Sequence, residues 1–216
     1  MDYLSEFLLV AVAHLFAVMS PGPDFAVVIR NSVSAGRRVG LVTAVGVGCG
    51  ICLHVGYSLL GIGLIISQSV WLFNVLKMAA AAYLVYLGLR ALRSKPMQAG
   101  PAVLPAVQNM PAGKAFANGF VTNGLNPKAT LFFLSLFTVV ISPQTPIAVQ
   151  AGYGVYLAVA TAAWFCLVAV MFSHARVRAA FVRTGHWFDR LMGAVLIGLG
   201  LHLALSEWLG LSARPH

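Results

Sequence analysis

Residues 20–24, with the sequence Ser-Pro-Gly-Pro-Asp, interrupt an apolar stretch that otherwise runs from residue 4 to residue 29. A second polar segment, Asn-Gly-Leu-Asn-Pro-Lys at residues 123–128, interrupts apolar residues 115–141. Proline breaks a helix and frees backbone groups that protein, water or ligand must satisfy in an apolar setting. Paired breaks in two halves of a chain are typical of a transporter's binding site. We refer to these segments as the first break (20–24) and the second break (123–128).

The composition around the two breaks is that of an integral membrane protein. Hydrophobic residues make up 60% of the 216 positions and charged residues 9%, with a mean hydropathy of +0.88, whereas a soluble domain is about one quarter charged. The apolar runs are too long and uniform for the alternating strands of a barrel. The sequence therefore predicts an all-α polytopic membrane protein with six transmembrane helices, over residues 4–29, 41–66, 70–89, 115–141, 147–172 and 191–211.

The basic residues follow the pattern of membrane topology. They fall in three alternate connections, namely Arg30, Arg37 and Arg38; Arg90, Arg93, Lys95 and Lys114; and Arg176, Arg178, Arg183 and Arg190. The intervening connections, around residues 67–69 and 142–146, contain no Lys or Arg. The positive-inside rule places the basic connections in the cytoplasm and both termini outside. The net charge of +9 thus reflects the membrane topology of the protein, and no nucleic-acid partner is predicted.

A proline-rich segment divides the chain. Residues 94–114 contain four prolines and read as a cytoplasmic linker between a first three-helix repeat (1–93) and a second one (115–216). Because three is odd, the second half starts on the opposite side of the membrane. The fold prediction is a 3+3 inverted repeat in which helices one and four are broken by proline.

Both breaks are predicted near the middle of the membrane. Pro21 precedes Arg30 by nine residues, and Pro127 follows Lys114 by thirteen. At the helical rise these separations correspond to roughly 14 and 20 Å in a hydrocarbon core about 30 Å thick. The two breaks could therefore meet at the midplane.

Each break ends on a charged residue, Asp24 in the first and Lys128 in the second. Charges at membrane depth are costly and are functional candidates by default. The alternatives are that Asp24 caps the following half-helix and that Lys128 extends to an interface. Two half-helix N-termini with Lys128 suit a carboxylate, and Asp24 suits an ammonium group. The pattern favours a zwitterion such as an α-amino acid.

The predicted transport path consists of residues from both breaks, Pro21, Gly22, Pro23, Asp24, Asn123, Asn126, Pro127 and Lys128. Asn118 and Thr122 precede the second break at roughly helical spacing and are expected to line the same cavity. Asp24 and His54 are the candidates for a proton relay. No role is assigned to Lys77, His14 or His202.

The sequence contains few residues that could form an enzyme active site or a metal site. There are five acidic residues and no zinc-helix, nucleophile-elbow or phosphate-loop motif, so neither an enzyme nor a cofactor is predicted. Cys49, Cys52 and Cys166 lie in predicted spans. They are expected to be packing residues beside the glycines of residues 46–50 rather than metal ligands.

The arrangement resembles the LysE/RhtB family of amino-acid exporters. The resemblance rests on two groups of residues. The first is the first break together with Gly36, Gly40 and the glycine-rich residues 46–50. The second is Gly119-Phe120, the Asn-Pro-Lys-Ala of residues 126–129 and Phe132-Phe133. The resemblance implies a secondary exporter of amino acids or close derivatives in the bacterial inner membrane. An exporter of metal or other cations and a non-transporting scaffold subunit are the alternatives. The substrate, the coupling ion and the existence of a homo-oligomer stay open.

Overall fold

The computed structural model describes residues 3–68, 70–93, 110–142 and 144–174, together with 176–177, 187, 190–191, 193–194, 197–198 and 201. Most of the predicted linker, most of the sixth span and His202 lie outside the described residues, as does the side chain of Lys77.

Every described element is helical, as the sequence predicts. The elements are α1 (Tyr3–Met19), α2 (Pro23–Ser34), α3 (Arg37–Gln68), α4 (Val70–Leu92), α5 (Ala112–Gly124), α6 (Pro127–Ser135) and α7 (Ile147–Phe172), with a π-helical turn, Leu136–Val140, directly after α6.

Two of these helices are each long and apolar enough to cross a membrane, over Arg37–Gly61 in α3 and Ile147–Phe172 in α7. A third candidate is the pair α1 and α2, which meets the same criteria when taken together and is bent by 55° between its halves. The bend coincides with the first break.

Local chemistry explains where the helices around both breaks end and begin. At the first break, Gly22 has an extended backbone at the N-cap of α2, and Pro23 occupies the first turn, where the missing N–H costs nothing. At the second break, the Asn126 side chain accepts a hydrogen bond from the backbone N–H of Lys128, and Pro127 begins α6. Asparagine is among the best N-cap residues. Proline and a capping side chain therefore define both starts.

Helix α3 is central and packs most extensively against α7 and α5. Glycine makes this approach close: a Cβ on Gly46 would lie 2.2 Å from the carbonyl oxygen of Phe116, and one on Gly119 would lie 2.0 Å from that of Thr43. A Cβ on Gly48 would lie 2.6 Å from that of Ala162 on α7. Small residues in helix contacts are typical of membrane bundles.

The cysteines differ from the expectation. Cys49 and Cys52 are exposed on α3, and Cys166 on α7 is half-buried. The packing role predicted for Cys49 and Cys52 is therefore wrong. The neighbouring glycines face α5 and α7 instead, and the two thiols point away from these contacts because a helix turns by 100° per residue.

Apolar side chains cover much of the exterior, and several polar side chains are buried among the apolar ones. Large apolar side chains are exposed on several helices, among them Leu4, Leu60, Trp71, Val155 and Val159. Polar side chains are buried, among them Glu6, His14, Asn31, Asn123 and Thr161. An extensive apolar exterior is stable in lipid and marks an interaction surface in water.

Two apolar clusters form the core. The first joins α1, α3, α6, the π-helical turn and α7, and contains Val10, Ile51, Phe133, Phe137 and Leu157. The second joins α2, α3 and α7, and contains Phe25, Val28, Val47, Phe165 and Phe172. Phe25 stacks edge-on against Phe165 and Phe172, with ring centroids 5.8 Å apart in both pairs.

Candidate functional site

A cavity lies where the two breaks meet. Its volume is about 50 Å³, below the usual range of about 300–1,000 Å³ for small-molecule sites. Its polar wall comes from both breaks and consists of Ser20, Gly22, Asp24, Asn123, Asn126 and Lys128. Its apolar wall includes Ala17, Val18, Phe25, Ile51, Phe132, Phe133 and Phe165.

Asp24 joins the two breaks. Its Oδ2 accepts hydrogen bonds from Asn123 Nδ2 and Asn126 Nδ2, each at 3.0 Å. Its other oxygen, Oδ1, is buried and has no hydrogen-bond partner within the part of the chain that the structure describes. The same holds for Oδ1 of Asn123. Asn123 Oδ1 packs against Gly50 of α3, where a Cβ would lie 2.6 Å from it, so Asp24 Oδ1 is the acceptor that a donor group entering the cavity could engage.

Lys128 crosses from the second break to the first. Its Nζ donates a hydrogen bond to the backbone carbonyl of Ser20 at 2.8 Å. A Cβ on Gly22 would lie 3.6 Å from Lys128 Cδ and 3.7 Å from Nζ, so the lysine side chain runs directly over this glycine. The break supplies the acceptor, because the helical hydrogen-bond pattern ends there.

Asn126 has two functions in this arrangement. Its Oδ1 accepts from the backbone N–H of Lys128 at 3.0 Å, and its Nδ2 donates to Asp24. One side chain therefore caps α6 and links α6 to the start of α2. The N-termini of both helices lie against the cavity, and helix N-termini carry a partial positive charge that favours anions.

His54 of α3 contacts Asn123 but does not line the cavity. Its Nε2 lies 2.9 Å from the backbone carbonyl of Asn123, and its Nδ1 lies 2.6 Å from the hydroxyl of Tyr57. A carbonyl only accepts, so Nε2 carries the hydrogen and the neutral ring accepts the tyrosine O–H at Nδ1. His54 also stacks on Phe133, with ring centroids 5.6 Å apart. A chain of contacts therefore runs from Tyr57 through His54 and Asn123 to Asp24.

Asn118 and Thr122 do not line this cavity, contrary to the sequence-based expectation. They lie on a second cavity of about 350 Å³ between α2 and α5, which is also lined by Arg30, Asn31 and Lys114. Asn123 is next to Thr122 in sequence but lies on another face of α5, because adjacent helical residues point about 100° apart. The helix thus presents different side chains to the two cavities.

Two buried polar contacts have no counterpart in the sequence-based prediction. His14 Nε2 lies 2.9 Å from Thr161 Oγ1, and both residues line the main cavity. Glu6 accepts from the backbone N–H of Ser142 at 2.9 Å and from the Thr145 hydroxyl at 2.9 and 3.0 Å. These partners are more than 130 residues apart in sequence, so no local pattern indicates them.

Comparisons with known proteins agree on one family. A family profile described as LysE type translocator matches residues 15–207. The chain is 35% identical to the threonine efflux protein of Escherichia coli strain K12, over 94% of this chain and 100% of that protein. It is 33% identical to the leucine efflux protein of Salmonella choleraesuis strain SC-B67, over 62% of this chain and 63% of that protein. No solved structure matches the chain significantly.

The resemblance drawn from the two breaks is therefore confirmed. The chain is a membrane transporter and not an enzyme, since the family is one of translocators. It belongs to the LysE type translocator family.

Proposed function

We propose that this protein is a secondary exporter of amino acids or close derivatives across the bacterial inner membrane. The observation that carries the proposal is the cavity between the two breaks, whose lining includes the carboxylate of Asp24 and the ammonium group of Lys128. Opposite charges on a small cavity complement a zwitterion. Relatives named for threonine and leucine efflux support the same substrate class.

The hydrogen-bonding capacity of the site suits both ends of an amino acid. An ammonium group carries three donors and needs acceptors, of which Asp24 Oδ1 can supply one together with a negative charge. A carboxylate needs donors, which Lys128 and the N-terminus of α6 can supply. Among the described residues that line the cavity, Asp24 is the one acid, whereas a hard or soft metal cation calls for several anionic ligands.

The proposed transport cycle alternates access to this cavity. The cluster containing Phe25, Phe165 and Phe172 packs on the α2 side, and the cluster containing Phe133 and Phe137 packs on the α6 side. Opening one cluster while the other stays packed would expose the site to one face of the membrane at a time. In this proposal six spans in two inverted halves surround a midplane site, and both termini are external.

Proton coupling is proposed through Asp24. The contacts from Tyr57 through His54 to Asn123, whose amide donates to Asp24, hold the carboxylate in place at the cavity, from which a proton would reach it. A carboxylate that binds the substrate ammonium group can also bind a proton after the substrate leaves. Exchange of one for the other would couple export to the proton gradient.

Efflux tests the proposal directly. Cells or liposomes containing the protein are preloaded with labelled amino acids, and Lys128→Met is compared with wild type at equal abundance. A charged hydrogen bond is worth about 1.5–3 kcal/mol, so efflux is expected to fall by roughly ten- to a hundredfold. Arg90→Ala is the control, because Arg90 is exposed on α4 and lines neither cavity.

Selective efflux that is lost in Lys128→Met and retained in Arg90→Ala supports the proposal. Absence of efflux for every amino acid tested, with wild-type protein folded in the membrane, contradicts it.

A further inference from the structure

The apolar wall of the main cavity contains one polar pair. His14 on α1 and Thr161 on α7 face one another, with Nε2 and Oγ1 2.9 Å apart. The two residues are 3% and 1% exposed. Their neighbours on the cavity are apolar: Ala17, Ile51, Phe132, Phe133 and Phe165. Among the described residues of this apolar wall, the pair is therefore the one that offers side-chain hydrogen bonds.

Polar groups in such a place are costly unless they are hydrogen-bonded. The mutual bond satisfies one atom of each residue. A threonine hydroxyl has one donor and two acceptor positions, and a neutral histidine has one donor and one acceptor nitrogen. One hydrogen bond between them leaves further capacity on the threonine oxygen. If these two positions served only to pack α1 against α7, two apolar side chains would do so equally well.

The position of the pair relative to the breaks suits a substrate side chain. His14 precedes Ser20 by six residues on the same helical stretch, which is roughly 9 Å along the axis. Phe132, whose ring centroid lies 6.4 Å from that of His14, follows Lys128 by four residues, roughly 6 Å along α6. An amino acid held by its charged groups at the breaks can extend its side chain toward the pair.

We propose that His14 and Thr161 read the substrate side chain and favour a hydroxyl over an aliphatic group of the same size. This inference rests on the proposed function and names the substrate class of that site. A substrate hydroxyl would donate to or accept from the Thr161 oxygen. An aliphatic substrate would exclude water from the pair without forming a hydrogen bond to the Thr161 oxygen.

The expected discrimination is moderate. A site whose polar groups are left wholly unpaired by the wrong ligand discriminates by orders of magnitude. Here the pair keeps its own hydrogen bond with either ligand, so only the added bond differs. One neutral hydrogen bond corresponds to about 3- to 10-fold in relative affinity.

Threonine and valine form a matched ligand pair, since valine carries a methyl group where threonine has the hydroxyl. Protein in liposomes is offered both amino acids in competition, and the ratio of threonine to valine transport is measured. Wild type is expected to prefer threonine. Thr161→Val is expected to lower the ratio about 3- to 10-fold, and Thr161→Ser is expected to keep it.

Thr138→Val is the matched control. Thr138 is also a buried threonine, its hydroxyl donates to the carbonyl of Leu134 at 2.7 Å, and it does not line the cavity. Its variant should leave the ratio unchanged. A second variant, His14→Leu, removes the partner from the other helix and should lower the ratio in the same direction.

The ratio does not depend on how much protein is present, so a loss of abundance cannot imitate the effect. An unchanged ratio in Thr161→Val and His14→Leu, with both amino acids still transported, overturns the inference and leaves the proposed function intact. Failure of wild type to transport any amino acid overturns the proposed function instead.

Discussion

At the scale of single residues, Asp24 is the most constrained group in the site. One of its oxygens accepts from two asparagine amides, and the other has no partner among the residues described. The first oxygen fixes the position of the carboxylate, which leaves the second to interact with a ligand. In the proposed site, positioning and substrate binding are divided between the two oxygens of this side chain.

Asp24→Asn separates these two functions. The amide oxygen of the new side chain can accept from Asn123 and Asn126, so the thermal unfolding midpoint should stay within a few degrees of wild type. The charge that attracts the substrate ammonium group is lost, and efflux should fall at least about tenfold. Asp24→Glu, which keeps the charge, is the comparison. Full efflux in Asp24→Asn would contradict a role in substrate or proton binding.

The sequence could predict the residues of the breaks and that the two breaks could meet, but not the individual hydrogen bonds between them. Proline, glycine and charge in apolar surroundings are local signals, and they single out Asp24, Asn126 and Lys128. The pairing of His14 with Thr161 joins positions 147 residues apart, and both residue types are ordinary in an apolar helix. Their meeting depends on how α1 packs against α7, which no local pattern specifies.

At the scale of elements, the close contact between α3 and α5 holds the second break in place. Gly119 of α5 lies against the backbone of α3 at Thr43, and Gly50 of α3 lies against Asn123, where a Cβ would be 2.6 Å from Oδ1. His54 of α3 binds the carbonyl of Asn123 one turn further along. The orientation of Asn123, and through it that of Asp24, therefore depends on the distance between these helices.

Gly119→Ala tests this contact. The added Cβ would lie 2.0 Å from a backbone oxygen, so the helices must separate at a cost of about 1–3 kcal/mol. The unfolding midpoint should fall by roughly 2–12 °C, and efflux should fall with it. Gly113→Ala in the same helix is the control, because nothing lies within 4 Å of its added Cβ. Equal unfolding midpoints for the two variants would show that the close contact does not contribute to stability.

Helix ends around the breaks were predictable, because proline and asparagine determine them chemically. The π-helical turn Leu136–Val140 was not. It inserts one extra residue into a helical turn, with the Ile141 N–H donating to the Leu136 carbonyl at 3.2 Å. Its residues are those of an ordinary apolar helix, so the widening arises from tertiary packing.

At the scale of the whole molecule, the distribution of basic residues predicts the topology, and side-chain packing determines which helices are in contact. The basic residues predict which connections face the cytoplasm, whereas the contacts show that α1 packs against α7 and the π-helical turn. The first half of the chain therefore shares its interior with the second. The division into two repeats stays a prediction, and so does the orientation of the termini.

Cysteine labelling checks the orientation. In a background with the three native cysteines replaced, Gln144→Cys is expected to react with a membrane-impermeant maleimide on intact cells, because its connection lacks Lys and Arg. Ala35→Cys, beside the basic residues Arg37 and Arg38, should react only after the cells are opened. The reverse pattern would contradict the predicted topology.

The buried carboxylate of Glu6 also affects how the protein is made. Its partners Ser142 and Thr145 follow it by 136 and 139 positions. A ribosome adds about 5–20 residues per second, so these partners are synthesised roughly 7–28 s after Glu6. Throughout that interval Glu6 lacks both partners, so its native hydrogen bonds can form only after the connection that precedes α7 has been synthesised.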